Sequence, residues 1–259
     1  MKFKDILARK PQTLALSAGY FGFFAHLGFV EALRQEGVKI EMISGASAGA
    51  LIAGIIGSGL TTDQALKLMS EVPLKDIWDP GFGWGYLKWT KVESILAEHF
   101  LPRLEDLSIK VAISVFEIRS FKTRVFTKGP APAIIRASCS PPGLVHPARI
   151  GEKLYFDGGV FDKGAFAGLK EDQAFVSHYL RAHSPEREWE FARVVKRQRP
   201  RQLIVSFSDL PPVKPQKLSK GVDAFHRCLQ RTLELLNTEE EYLERNRNFH
   251  GNIKNFLQS

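Results

Sequence analysis

Short apolar runs alternate along this chain with longer stretches whose apolar residues recur every three or four positions. Residues 13–17 form a run long enough for a buried strand and too short for a helix. Residues 22–36 carry helical spacing that stops at Gly37. A second apolar run at 41–44 leads into a small-residue helix at 47–57. Thr61 with Gln64, and Thr90 with Glu93, have the spacing of capping boxes and predict helices to about 71 and 100. Residues 109–117 and 122–127 predict two adjacent strands joined by a short turn. Residues 131–138 predict a helix stopped by Pro141 and Pro142, followed by a strand ending at Asp157. Further strands are predicted at 174–180 and 202–208. A helix is predicted at 219–237, where Val222, Phe225, Leu229, Leu233 and Leu236 share one face. Residues 1–10 read as a short basic amphipathic helix, and the charged tail from Thr238 reads as helical. This alternation predicts an α/β fold, a three-layer α/β/α sandwich. A single domain over 1–259 is expected, with a core at 13–210 and a C-terminal helical extension at 217–259.

The join between the second strand and its helix carries the first chemical signal. Gly45-Ala46-Ser47-Ala48-Gly49 is a G-x-S-x-G pentapeptide. A strand-to-helix turn this tight requires small neighbours, because side chains beside the serine would collide with the flanking backbones. Gly45 and Gly49 meet that demand. Ser47 is left exposed at a helix N-terminus, where the dipole favours developing negative charge. A glycine-rich helix start with an N-cap serine would read the same way.

Two further segments bear on that choice. Upstream, a strand, a turn containing Gly19, Tyr20 and Gly22, and a helix follow one another. Such a turn presents consecutive backbone N–H groups at a helix start, as binding of an oxyanion requires. Downstream, the strand at 153–157 delivers Asp157 directly into Gly158 and Gly159. Alone, that tripeptide is a turn signal.

In this order the three segments resemble the patatin-like phospholipase family, over residues 13–163. The family combines a glycine-rich oxyanion loop, a G-x-S-x-G elbow and an Asp-Gly-Gly strand end. The stretch from Ala137 through Ser138 and Pro142 to Leu144 also looks like the family's approach to its aspartate. The resemblance implies a patatin-like fold and a serine lipid acyl hydrolase. In it Ser47 is the nucleophile and Asp157 acts directly as its base, without a histidine. It places the oxyanion donors around Gly19 and Tyr20, with Gly22, Gly45, Gly49, Gly158 and Gly159 supporting the turns. The first motif departs from the family's G-G-G-x-(Arg/Lys)-G. Ala18, Gly19 and Tyr20 stand where three glycines are usual, and no basic residue follows. That departure keeps a second reading open: a lipid- or partner-binding protein of the same fold with weak or no turnover. A Ser–Asp–His triad would draw its histidine from His178 or His183, but only one clear strand precedes the elbow. His26, on the first long helix, reads as a packed core residue.

Composition narrows the setting. No apolar run approaches the roughly 20 residues of a membrane-spanning helix. The N-terminal segment lacks a signal-peptide pattern, and two cysteines make no disulfide framework. A cytoplasmic protein is expected, with peripheral membrane contact open. The formal charge of +8 suits contact with an anionic membrane surface or a merely solvated face. Nucleic acid is the weaker fit, because no stacking-aromatic motif accompanies the basic clusters. No P-loop, zinc-ligand spacing or calcium loop occurs, so neither metal nor cofactor is expected. Residues 77–89 hold five aromatics and three glycines. They read as a mobile loop that packs over the core, covers an acyl chain, or anchors at a lipid interface.

Overall fold

Side chains of the central strands alternate between two unequal faces. The computed structural model describes residues 1–181, 188–214, 217–218 and 220–258; His183 lies outside them. Five strands form the parallel centre: β1 (Gln12–Leu16), β2 (Ile40–Ala46), β4 (Lys110–Glu117), β9 (Phe175–His178) and β10 (Gln202–Val205). Leu14 and Leu16 of β1, Ile43 of β2, Val111 and Ile113 of β4, and Val205 of β10 share the main apolar core. The intervening Ala15 of β1 and Ile204 of β10 face two small clusters on the other side. This two-residue period, with both faces covered, is why these strands read as continuous apolar runs.

Among the described residues, nine strands make up the main sheet, in the order β11-β10-β9-β1-β2-β4-β8-β7, with β5 paired to β4. Its remaining members are β5 (Lys122–Phe126), β7 (Ala148–Ile150), β8 (Lys153–Asp157) and β11 (Phe249–His250), all antiparallel to their neighbours. A separate pair joins β3 (Gly85–Leu87) to β6 (Gly143–Val145). Helices flank this mixed sheet on both faces. On the thick side lie the helices Phe3–Leu7, Phe23–Gln35, Ala48–Gly57, Ala131–Ser138 and Lys220–Leu236. Phe23–Gln35 and Lys220–Leu236 pack closely because position 28 is glycine: a Cβ there would lie 2.4 Å from the Phe225 carbonyl oxygen. The other side is thin. It consists of helix Glu188–Lys196 and the segment 162–170, which is pinned by Asp162. The Asp162 carboxylate accepts hydrogen bonds from Ser114 Oγ and from the Phe166 and Ala167 amides.

Most long elements fall where the pattern predicts them, and the exceptions have physical causes. The Thr61 capping box is present, with Thr61 Oγ1 accepting from Gln64 N and Gln64 Oε1 accepting from Thr61 N. The predicted box at Thr90 is not. Helix Thr90–His99 is capped from a distance by Asp79, whose carboxylate accepts from the Trp89 and Thr90 amides. The segment predicted as a mobile loop is a short hairpin. Gly81 N donates to Tyr86 O, Lys88 N donates to Asp79 O, and β3 pairs with β6. The tail beyond Thr238 is not a continuous helix: two helices of one turn or so, Glu240–Leu243 and Ile253–Leu257, flank strand β11 on the edge of the main sheet.

Candidate active site

Position 157 meets position 47 because two strands converge along one edge of β4. Ser114 pairs with Ala46 of β2 on one edge and with Val125 of β5 on the other. The next residue, Val115, pairs with Asp157 of β8 and Arg124 of β5. Strands β2 and β8 therefore share one edge of β4, run toward each other, and end against consecutive residues. Ser47 follows the end of the first and Asp157 ends the second. The Ser47 Oγ–H donates to Asp157 Oδ2 at 2.7 Å.

Local sequence makes this approach possible. Ser47 sits at φ 52°, ψ −116°, a backbone conformation that costs a residue with a side chain on the order of 1–3 kcal/mol. A Cβ on Gly49 would lie 2.0 Å from the Leu16 carbonyl oxygen, and one on Gly45 would lie 2.6 Å from that of Gly49. On the aspartate side, a Cβ on Gly158 would lie 2.0 Å from the Ser114 carbonyl oxygen. Gly159 has two roles: its amide donates to Asp157 Oδ1 at 2.7 Å, and its bare Cα admits Ala18. Gly22 is under less constraint, since its closest neighbour would be the flexible end of Leu180.

Burial sets the electrostatics. Asp157 is 8% exposed, and desolvation pushes its carboxyl up to about 6, against the opposing pull of the Ser47 and Gly159 hydrogen bonds. A carboxylate so placed is a stronger base than one in water. Beside it, Ser47 N donates to Ser138 Oγ at 2.9 Å, Ser138 Oγ–H donates to Ser114 O at 2.7 Å, and the Cys139 thiol donates to Ser47 O at 3.2 Å. The end of helix Ala131–Ser138 thus holds the elbow from behind. In the sequence this stretch reads only as an approach to the aspartate; its grip on the serine joins residues 91 and 92 positions apart, which no local pattern carries.

The loop after β1 supplies the third side. Ala18 N donates to Lys163 O, and Gly22 N donates to Gly19 O. Among the described residues, the amides of Gly19 and Tyr20 have no acceptor. A cavity of about 860 Å³ is lined by Gly19, Tyr20, Ser47, Ala48, Asp157 and Gly159. It extends over apolar side chains that include Leu51, Leu68, Met69 and Val72. It opens at the C-terminal ends of the parallel strands, beside β1, where succeeding crossovers depart in opposite directions along the sheet. Open α/β sheets bind their ligands at such a point.

The triad alternative finds no support in the placement of His178. Its ring contacts His26 and Cys228, away from the cavity, while Asp157 is held by Ser47 and Gly159. Among the described residues, no group of three or more His, Cys, Asp or Glu side chains could hold a metal ion. No helix among them is long and apolar enough to cross a membrane.

Known proteins share part of this sequence and its fold. A sequence model described as Patatin-like phospholipase matches residues 14–169. An uncharacterized NTE family protein of Mycobacterium tuberculosis is 31% identical over 166 residues, covering 61% of this chain and 46% of that protein. The lysophospholipase NTE1 of Candida albicans is 24% identical over 170 residues, covering 62% of this chain and 12% of its own length. In both, the matched stretch is less than half of the relative. The crystal structure of VipD from Legionella pneumophila has a similar fold, with a TM-score of 0.59 at 13% identity, over 86% of this chain and 67% of that one.

Proposed function

The chain belongs to the patatin-like phospholipase family, and from that premise we propose that it is a serine hydrolase of lipid acyl esters with a Ser47–Asp157 dyad. The observation that carries the proposal is the 2.7 Å contact between Ser47 Oγ and a buried carboxylate inside an apolar cavity. In this reading Asp157 takes the Ser47 proton as Oγ bonds to the ester carbonyl carbon. The tetrahedral oxyanion is held by the Gly19 and Tyr20 amides, which are free of other acceptors among the described residues. The Ala48 amide, at the helix N-terminus, is placed to assist. Collapse breaks the ester C–O bond, and Asp157 returns its proton to the leaving alcohol. Water, deprotonated by the same carboxylate, then bonds to the acyl carbon; the acyl–Oγ bond breaks, Asp157 returns the proton to Ser47 Oγ, and the fatty acid leaves. The lysophospholipase activity named for the fungal relative is compatible with this substrate class.

Access from a lipid surface fits the rim of the cavity. Tyr20, Trp78 and Val160 both line it and stand exposed, and the hairpin beside Trp78 displays Phe82, Trp84 and Tyr86. With a charge of +8, we assign this rim to peripheral contact with anionic membranes.

The altered loop, Ala18-Gly19-Tyr20, favours a second reading, a lipid-binding protein with little turnover. One experiment separates the two. A mixed lipid extract is incubated with the protein, with Ser47→Ala as blank, and the products are identified by mass spectrometry. A hydrolase releases fatty acid from the wild type and none from the variant, while both retain the same circular dichroism. Equal release from both would remove Ser47 from the chemistry, and release from neither would leave the binding reading.

A further inference from the structure

Two histidines lie fully buried behind the loop that carries Gly19 and Tyr20, and the proposed chemistry uses neither. His26, on helix Phe23–Gln35, places Nε2 2.8 Å from the Ser17 carbonyl oxygen. Its Nδ1 lies 2.9 Å from Nδ1 of His178, the last residue of β9. His178 Nε2 lies 3.7 Å from the Cys228 sulfur, on helix Lys220–Leu236. Phe29 stacks on the His178 ring at 4.5 Å.

One proton arrangement satisfies all four groups. A carbonyl oxygen only accepts, so His26 carries its proton on Nε2. Neutral His26 then has a bare Nδ1, which needs a donor, and His178 supplies Nδ1–H. That leaves His178 Nε2 bare, facing the Cys228 thiol. Burial keeps every member neutral. It lowers His26 to about 4, holds His178 well below its ordinary value, and pushes the thiol up to about 12. The chain of donors therefore runs one way, from Cys228 through His178 and His26 to Ser17.

Ser17 is where β1 hands the backbone to the loop, and each of its polar groups is held. Its amide donates to His178 O, its Oγ accepts from Leu180 N, and its carbonyl accepts from His26. The carbonyl belongs to the peptide plane shared with Ala18, one residue before Gly19. Orientation of that plane sets the direction in which the loop leaves the sheet.

We propose that His26 and His178 are positioning residues, a buried relay that fixes the Ser17–Ala18 peptide and so aims the Gly19 and Tyr20 amides at the oxyanion. The inference rests on the hydrolase reading for its purpose, but its geometry is testable without activity. Long-range proton–nitrogen spectra of the wild type at neutral pH are expected to find His26 protonated at Nε2 and His178 at Nδ1. The opposite tautomers would overturn the relay. In His26→Phe, which keeps a ring but removes both nitrogens, hydrogen exchange at Ala18 N and Leu180 N should accelerate. Its kcat should fall about tenfold or more with KM within about twofold, the signature of a misaimed hole. His26→Gln, which can still donate to Ser17, should recover most of the rate. Unchanged exchange and unchanged kcat in folded His26→Phe would sink the inference while leaving the hydrolase reading in place. A wild type without esterase activity would sink the hydrolase reading, and the tautomers and exchange rates would still decide the relay. If His26→Phe does not fold, the wild-type spectra decide it alone.

Discussion

In the proposed mechanism, Asp157 is the residue on which function and stability pull in opposite directions. Its carboxyl is raised from 3.8 to about 6 by burial, so the folded state holds its proton more tightly than the unfolded chain does. The contribution of this group to stability is therefore fully present below about pH 4 and is lost as pH rises through about 6. At neutral pH the ionised carboxylate costs the fold up to roughly 3 kcal/mol. Asp157→Asn removes that cost and the proposed base together. We predict a Tm several degrees above wild type at pH 7.5, little difference at pH 4, and no esterase activity at either. A variant with the same Tm difference at both values would contradict this account of the shift. Ser47 shows a related tension, since its left-handed backbone is kept by the close contacts of Gly45 and Gly49 rather than by its own preference. These residue-scale demands were legible in the sequence. Only a bare Cα fits where a Cβ would meet a carbonyl oxygen at 2.0 Å, and the glycines mark where that happens.

Among the elements, the hairpin at residues 79–88 departs most from its sequence reading. Its glycines suggested mobility. Instead they admit close neighbours: a Cβ on Gly83 would lie 2.3 Å from the His146 ring, and one on Gly85 would lie 2.5 Å from the Val145 backbone. Asp79 then ties its base to helix Thr90–His99. Phe82, Trp84 and Tyr86 are held outward on this braced ribbon, an arrangement suited to the headgroup level of a bilayer. Replacing Phe82 and Trp84 by serine should weaken sedimentation with phosphatidylcholine–phosphatidylglycerol vesicles about tenfold or more, because each large aromatic buries a few kcal/mol of apolar surface. Turnover of a water-soluble short-chain ester should stay within about twofold. Unaltered vesicle binding would remove the hairpin from the lipid contact. Periodicity could not foresee this element. Nor could it foresee β6, β7 and β11, because strands of two or three residues are made by their partners and not by their own pattern.

At the scale of the molecule, the site follows from topology. The sequence placed a serine after one strand and an aspartate at the end of another, 110 positions away, but no local pattern could say that both strands end on the same edge of β4. The resemblance among motifs supplied that expectation, and the pairing of Ser114 with Ala46 and of Val115 with Asp157 supplies its physical reason. The histidine relay was out of reach for a similar cause, since it joins residues 17, 26, 178 and 228 from four separate elements. The central claim is that the Ser47 hydroxyl is activated by Asp157. It is tested most directly by the rate at which a fluorophosphonate modifies the protein across pH, with the adduct located by peptide mass spectrometry. The account predicts an adduct on Ser47, a rate that rises through about pH 6 and then levels, and a loss of about 10²-fold or more in Asp157→Asn. An adduct elsewhere, or an Asp157→Asn variant labelled at the wild-type rate, would contradict it.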